Sequence, residues 1–180
     1  MKRVSKAEWL QAALHLLENE GVEAIRVDRL ARELGISRSG FYWHFKNRDD
    51  LRGQIIEYWV HEFNEVVTEN LTLREGDPRK RLELTMQMIV DHGLTRYELP
   101  IRAWAEADPA VARRVNMAYK KRMGFLRDIF RALGFEGDDL EMRTRLFLCY
   151  GTWEHTMFPK ESKSSLRKLI KLRTDFLSKP

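Results

Sequence analysis

The chain has 180 residues, 32 of them Lys or Arg and 27 Asp or Glu, giving a formal charge of +5 and a pI of about 9.4. With 33% charged and 43% hydrophobic residues, the composition fits a soluble globular protein and excludes a disordered tail or a collagen-like chain. No apolar run reaches the roughly 18 residues that span a bilayer. Met1 to Leu10 carries Lys2, Arg3, Lys6 and Glu8 without a secretory core, so the expectation is a cytoplasmic protein with no membrane partner. A single cysteine, Cys149, closes no internal disulfide and builds no zinc site alone. Within its apolar run it reads as a small buried hydrophobe.

Apolar residues recur at helical spacing and no stretch alternates strictly, so the fold reads as all-α, with about nine helices. Ser5 three residues before Glu8 forms a capping-box pattern, and Leu10, Ala13, Leu14 and Leu17 follow as one stripe that ends at Gly21. A second helix carries Val27, Leu30, Ala31 and Leu34 and stops at Gly35; Ser37 caps a very short third from Arg38 to about His44. A longer helix starts at Asn47 or Arg48, with Asp49 and Asp50 in its first turn, carries Leu51, Ile55, Ile56, Trp59, Val60, Phe63 and Val67, and fades near Leu71. Arg74 to Pro78 is a break. Further helices centre on Leu82 to Val90 and on Ile101 to Ala105, then span residues 110–133, 138–157 and the segment from Leu166 to Leu177. No repeat of solenoid length is present.

Two short helices joined by a turn containing Gly35 form the pattern of a helix-turn-helix. Burying Val27, Leu30, Ala31, Leu34, Ile36, Phe41 and Phe45 against Leu10, Leu14 and Leu17 leaves Arg38, Ser39, Gly40 and Trp43 outward. A guanidinium at the start of a recognition helix can take guanine O6 and N7 together, which makes Arg38 the candidate base reader. Gly40 would allow close backbone approach, and Trp43 would lie on a thymine methyl. Tyr42, His44 and Lys46 offer an O–H, an imidazole N–H and an ammonium to phosphate, with Arg48 as a further anchor. Ser37 and Arg26 complete the candidate DNA-binding set.

The run from Gly21 to Ala24, then Val27 to Ser37, then Phe41 to Leu51 resembles the TetR/AcrR family of bacterial transcriptional regulators, above all in tyrosine, any residue, histidine and an aromatic directly after the helix-turn-helix. The resemblance covers about residues 5 to 55. It implies a DNA-binding head over residues 1–47 and a body over residues 48–180 that binds an effector and dimerises, with 48–71 as the connecting helix. The implied partners are a palindromic double-stranded DNA operator, a second copy of the chain and a small-molecule effector, and the implied role is repression relieved by that effector. By position, Tyr42 and His44 would touch phosphate, Ser37 to Gly40 and Trp43 would face the major groove, and Arg48 stands where the family commonly has lysine. Asp28 and Gly40 depart from the family, since many members carry DNA-contacting residues there.

No metal-binding, phosphate-loop or nucleophile motif occurs, so the chain reads as no enzyme and as needing no cofactor. The aromatic and methionine residues of the body are mostly core by expectation. As a group, Phe63, Met86, Tyr97, Trp104, Tyr119, Met123 and Tyr150 are the candidates for an apolar or aromatic effector site, with His92 and Asn116 as possible polar groups. Leu146, Phe147, Tyr150, Leu166, Leu169, Ile170, Phe176 and Leu177 are the candidate dimer seam. Two other readings stay open: a helical ligand-binding or catalytic protein whose head serves another partner, and a regulator with no effector. The excess charge does not sit in the head: residues 1–50 hold nine basic and eight acidic side chains, residues 160–180 seven and two. Lys2, Arg3 and Lys6 are expected on the DNA side, and the basic tail as a solvated rim.

Overall fold

Ser5 starts the first helix in the way its spacing from Glu8 predicts. In the computed structural model its hydroxyl accepts the Glu8 N–H at 3.3 Å, while the Glu8 carboxylate accepts the Ser5 N–H at 2.7 Å. The structure describes residues 4–158 and 161–179, so Lys2 and Arg3 lie outside the described residues. Helix α1 (Lys6–Glu20) is followed by α2 (Val27–Leu34), which ends where Gly35 turns left-handed at φ 67°. The third helix of the motif is a 3-10 segment, Arg38–Trp43. Its six residues are too few to repay α-helix nucleation, and the tighter winding is common in such short pieces.

Helix α3 (Arg48–Phe63) begins after Asn47, whose side-chain oxygen accepts the Asp50 N–H at 2.8 Å. It does not run as α-helix to Leu71. From Asn64 to Thr68 it widens into a π-turn, closed by the Glu69 N–H on the Asn64 carbonyl at 2.8 Å. Thr68 donates its hydroxyl to the Asn64 side-chain oxygen at 3.0 Å. After the break come α4 (Pro78–Asp91), capped by the Asp77 carboxylate on the Lys80 N–H, then α5 (Glu98–Ala107), α6 (Pro109–Ala132), α7 (Gly137–Met157) and α8 (Lys163–Leu177). Among the described residues there is no strand, and these eight α-helices with the 3-10 recognition segment make nine. None is long and apolar enough to cross a membrane.

The chain packs as two compact units, one ending at His61 and resuming over Tyr97–Asn116, the other covering Glu62–Arg96 and resuming at Met117. Packing therefore does not divide at residue 47, because α3 buries Leu51, Ile55, Ile56 and Trp59 within the first unit, to which α5 contributes Ile101 and Trp104. The centre of this unit is Trp9, a residue outside the expected Leu10, Leu14 and Leu17 wall. Its ring is fully buried and meets Phe41 and Phe45 edge-on at 5.6 and 6.4 Å. The second unit buries Leu82, Met86, Leu126, Ile129, Phe130, Phe135, Phe147, Ile170 and Leu177 in one cluster. Phe147, Ile170 and Leu177 thus face this core, which removes them from the seam expected of them.

Candidate nucleic-acid interface and ligand cavity

Phe41 anchors the recognition segment by its complete burial, and the next two residues are thrown outward: Tyr42 is 64% and Trp43 86% exposed. Leaving an indole in water forgoes the burial energy that Trp9 gains. Arg38 is exposed, and its Nε lies 2.5 Å from the Asp28 Oδ1. Ser37 occupies the N-cap position, but its hydroxyl pairs with that of Ser39 at 2.7 Å and caps no backbone N–H. Gly40 does not face outward as expected. A Cβ there would point at Ile36 Cδ1, 3.2 Å away, and towards the Trp9 ring, so the absent side chain permits close packing inside the motif.

The expected phosphate ligands divide. Lys46 presents an exposed side chain, while its backbone N–H donates to Asp50 at 2.8 Å. That bond, with one from the Gln54 amide, holds the Asp50 carboxyl below the usual carboxylate range. His44 is half-buried, with Nε2 2.9 Å from the Val4 carbonyl. Since a carbonyl only accepts, Nε2 carries the proton, and Nδ1 can donate to phosphate only when the ring is cationic. Arg48 donates from Nε to the Ile25 carbonyl at 3.0 Å and lies 3.4 Å from Glu23, which makes it a clamp between α3 and the entry to α2. Arg26 is exposed and bonds the Glu23 carbonyl at 3.1 Å.

The second unit contains a cavity lined by Phe63, Val67, Thr85, Ile89, Thr95, Arg122, Phe125, Leu126, Phe147, Leu148, Gly151 and Thr152, with about 20 Å³ of free space. That is room for roughly one water. The Arg122 guanidinium lies 3.7 Å from the centre of the Phe63 ring. A wider cleft of about 190 Å³ shares Ile89, Thr95 and Gly151 with it and adds Arg96, Glu154, Phe158 and Leu166 among others. Glu154 is buried there and accepts both contacts of the Arg173 Nη2, at 2.8 and 2.9 Å.

Of the effector candidates, Phe63 lines the cavity and Met86 lies against it, its methyl 3.0 Å from where a Cβ on Gly151 would stand. Tyr97 and Trp104 belong to the other unit. Tyr119 meets Arg122 at 5.2 Å, Met123 is half-buried outside the lining, and Tyr150 is exposed with Arg173 stacked 3.5 Å from its ring centre. His92 and Asn116 are exposed. Cys149 is exposed rather than buried, because it falls at the outer edge of the α7 stripe.

Residues 10–55 match the family model described as bacterial regulatory proteins, tetR family. The chain is 29% identical over 86 residues to the HTH-type transcriptional regulator AcrR of Shigella flexneri, a match covering 48% of this chain and 40% of AcrR. It is 35% identical over 57 residues to the class C tetracycline repressor protein of Escherichia coli, covering 32% of this chain and 26% of the repressor. Over residues 10–55 the chain is similar to the TetR family. It spans less than half the length of these two relatives. Its fold is that of AibR solved with isovaleryl coenzyme A and operator DNA, at a TM-score of 0.76 and 19% identity over 97% of this chain and 98% of AibR.

The match ends inside α3, so it contains the candidate DNA-binding set from Arg26 to Arg48 and none of the cavity wall, which begins at Phe63. Two features of the candidate sites escaped the sequence reading. The pairing of Asp28 with Arg38 spans a turn and leaves no periodic mark. The threonines Thr85 and Thr152 could have been found, because each interrupts an apolar helical stripe with a hydroxyl.

Proposed function

We propose that this protein is a homodimeric, sequence-specific DNA-binding transcriptional regulator, acting as a repressor that a small organic effector releases. The observation that carries the reading is the recognition segment, where buried Phe41 braces exposed Tyr42, Trp43 and Arg38 on one short rigid element. Two such elements related by a two-fold axis would enter successive major grooves about 34 Å apart and read a palindrome.

A dimer seam is supported by an exposed apolar stripe on α7, Met142, Leu146, Tyr150, Trp153 and Met157, with Leu172 and Phe176 on α8. These recur at helical spacing and leave much of their apolar surface exposed, so an isologous four-helix contact is the economical way to cover them. The mostly apolar cavity with its few hydroxyls and one guanidinium suits a small amphipathic organic molecule. Its small free volume means that such a ligand must push Phe63 and Val67 aside, and both lie at the π-turn. A coupling of about 1–3 kcal/mol between the sites would lower operator occupancy roughly 5- to 150-fold.

Gel-shift of the purified protein with the DNA upstream of its own gene tests the first part; a shift that excess random duplex does not compete away is the expected result. Screening organic acids, aromatics and coenzyme A thioesters by thermal shift, then adding the hits to the gel-shift, tests the second. A ligand that raises the melting temperature and leaves the DNA band intact would remove the effector-released repressor from consideration.

A further inference from the structure

Asp28 stands in the first turn of α2 and meets Arg38 across the turn of the motif, Oδ1 to Nε at 2.5 Å. The two side chains are 60% and 66% exposed, and an ion pair so open to water contributes little to folding. A carboxylate here also opposes docking, because the first helix of such a motif crosses the phosphate backbone. Its consequence for the arginine is specific. A guanidinium carries its five N–H donors in a planar fork; a carboxylate on the Nε edge blocks side-on approach and turns the Nη1 and Nη2 end towards solvent, where guanine O6 and N7 can take it end-on. The pair is also electrically neutral as a unit.

We propose that Asp28 is a positioning residue for DNA readout: it holds Arg38 by the Nε edge so that the Nη groups meet one guanine per half-site, and it cancels the arginine's charge. Arg38 then discriminates between bases without strengthening the sequence-independent attraction to phosphate. This rests on the DNA-binding function proposed above.

The test compares wild type, Asp28→Ala, Asp28→Asn, Arg38→Ala and the double alanine variant. Each binds a duplex selected from a random library by the wild-type protein, and an unselected duplex, over a salt series. Asp28→Ala is expected to bind unselected duplex more tightly, with the log–log salt slope steeper by about one, and to lose part of the selected-to-unselected ratio. Asp28→Asn steepens the slope equally but keeps more of the ratio, since its amide oxygen still accepts from Nε. Arg38→Ala loses roughly 5- to 150-fold discrimination at one base pair per half-site and binds unselected duplex more weakly, because Asp28 then faces phosphate alone. The double variant returns unselected-duplex affinity and slope to near wild type with discrimination still lost. An Asp28→Ala protein with unchanged ratio and slope overturns the proposal. So does an equal loss on both duplexes with a lowered melting temperature, which marks a purely structural residue. A wild-type protein that selects no duplex at all overturns the proposed function, and this inference with it.

Discussion

The recognition segment displays its largest side chains, whereas the cavity of the unit beginning at Glu62 encloses its aromatic ones: Tyr42 and Trp43 stand in solvent, while Phe63, Phe125 and Phe147 line a cavity with space for about one water. The first arrangement is ready for a partner in the conformation seen. The second must change shape to admit one. Rigid display suits a polymer whose groove geometry is fixed, and a nearly closed apolar cavity suits a ligand whose entry is meant to disturb the packing around it.

The sharpest break of this contrast lies within the first unit, between two of its tryptophans, those at positions 9 and 43. Trp9→Ala empties the aromatic cluster with Phe41 and Phe45 and should cost about 3–5 kcal/mol in denaturant unfolding, abolishing DNA binding with it. Trp43→Ala should leave stability within about 0.5 kcal/mol and still weaken DNA binding. Equal destabilisation by both would refute the division between brace and display. Next in size, Trp153→Arg combined with Leu146→Glu should turn the proposed dimer into a folded monomer in sedimentation, since both residues are exposed in the single chain; a dimer that survives unchanged places the seam elsewhere.

Gly151→Val attacks the other side of the comparison. A Cβ at this position already comes within 3.0 Å of Met86 Cε, so the larger side chain constricts both the cavity and the cleft. Effector affinity, read by calorimetry, should fall by about tenfold or more, with operator affinity retained.

A smaller effect concerns Asp50. Its folded-state pKa is lowered, chiefly by the Lys46 N–H, so its stabilising contribution is present above the unfolded value of about 3.9 and is lost as pH falls through the lower folded value. Asp50→Asn should therefore flatten the fall in melting temperature with acidification over that window, and leave the profile at higher pH parallel to wild type. Smallest of all, Lys168→Gln with Lys171→Gln should leave operator affinity unchanged, as expected of exposed residues on a solvated rim.

Local signals in the sequence carried far. Ser5 with Glu8, Gly35, and the Arg74 to Pro78 break each act through backbone geometry within a few residues, and each is found where its spacing places it. Tertiary partners were another matter. Gly40 reads as an opening to DNA but packs on Ile36 and Trp9, and Arg48 reads as a phosphate anchor but clamps the Ile25 carbonyl, because periodicity assigns a face and not the group opposite it. The cavity was least legible: Phe63 was among the expected effector residues, whereas Arg122 lines it through packing between helices far apart in sequence.

The π-turn at Asn64 to Thr68 has a consequence for the history of the chain. A turn closed between Glu69 and Asn64 holds one residue more than an α-turn requires, and the Thr68–Asn64 side-chain bond pins that surplus in place. Removing a single residue there would restore ordinary winding and swing the positions beyond it by about 100° around the axis, carrying Val67 off the cavity wall. Insertions and deletions are therefore expected to be tolerated poorly in this stretch, and a one-residue gap between relatives at this point would mark a change of ligand rather than neutral drift in length.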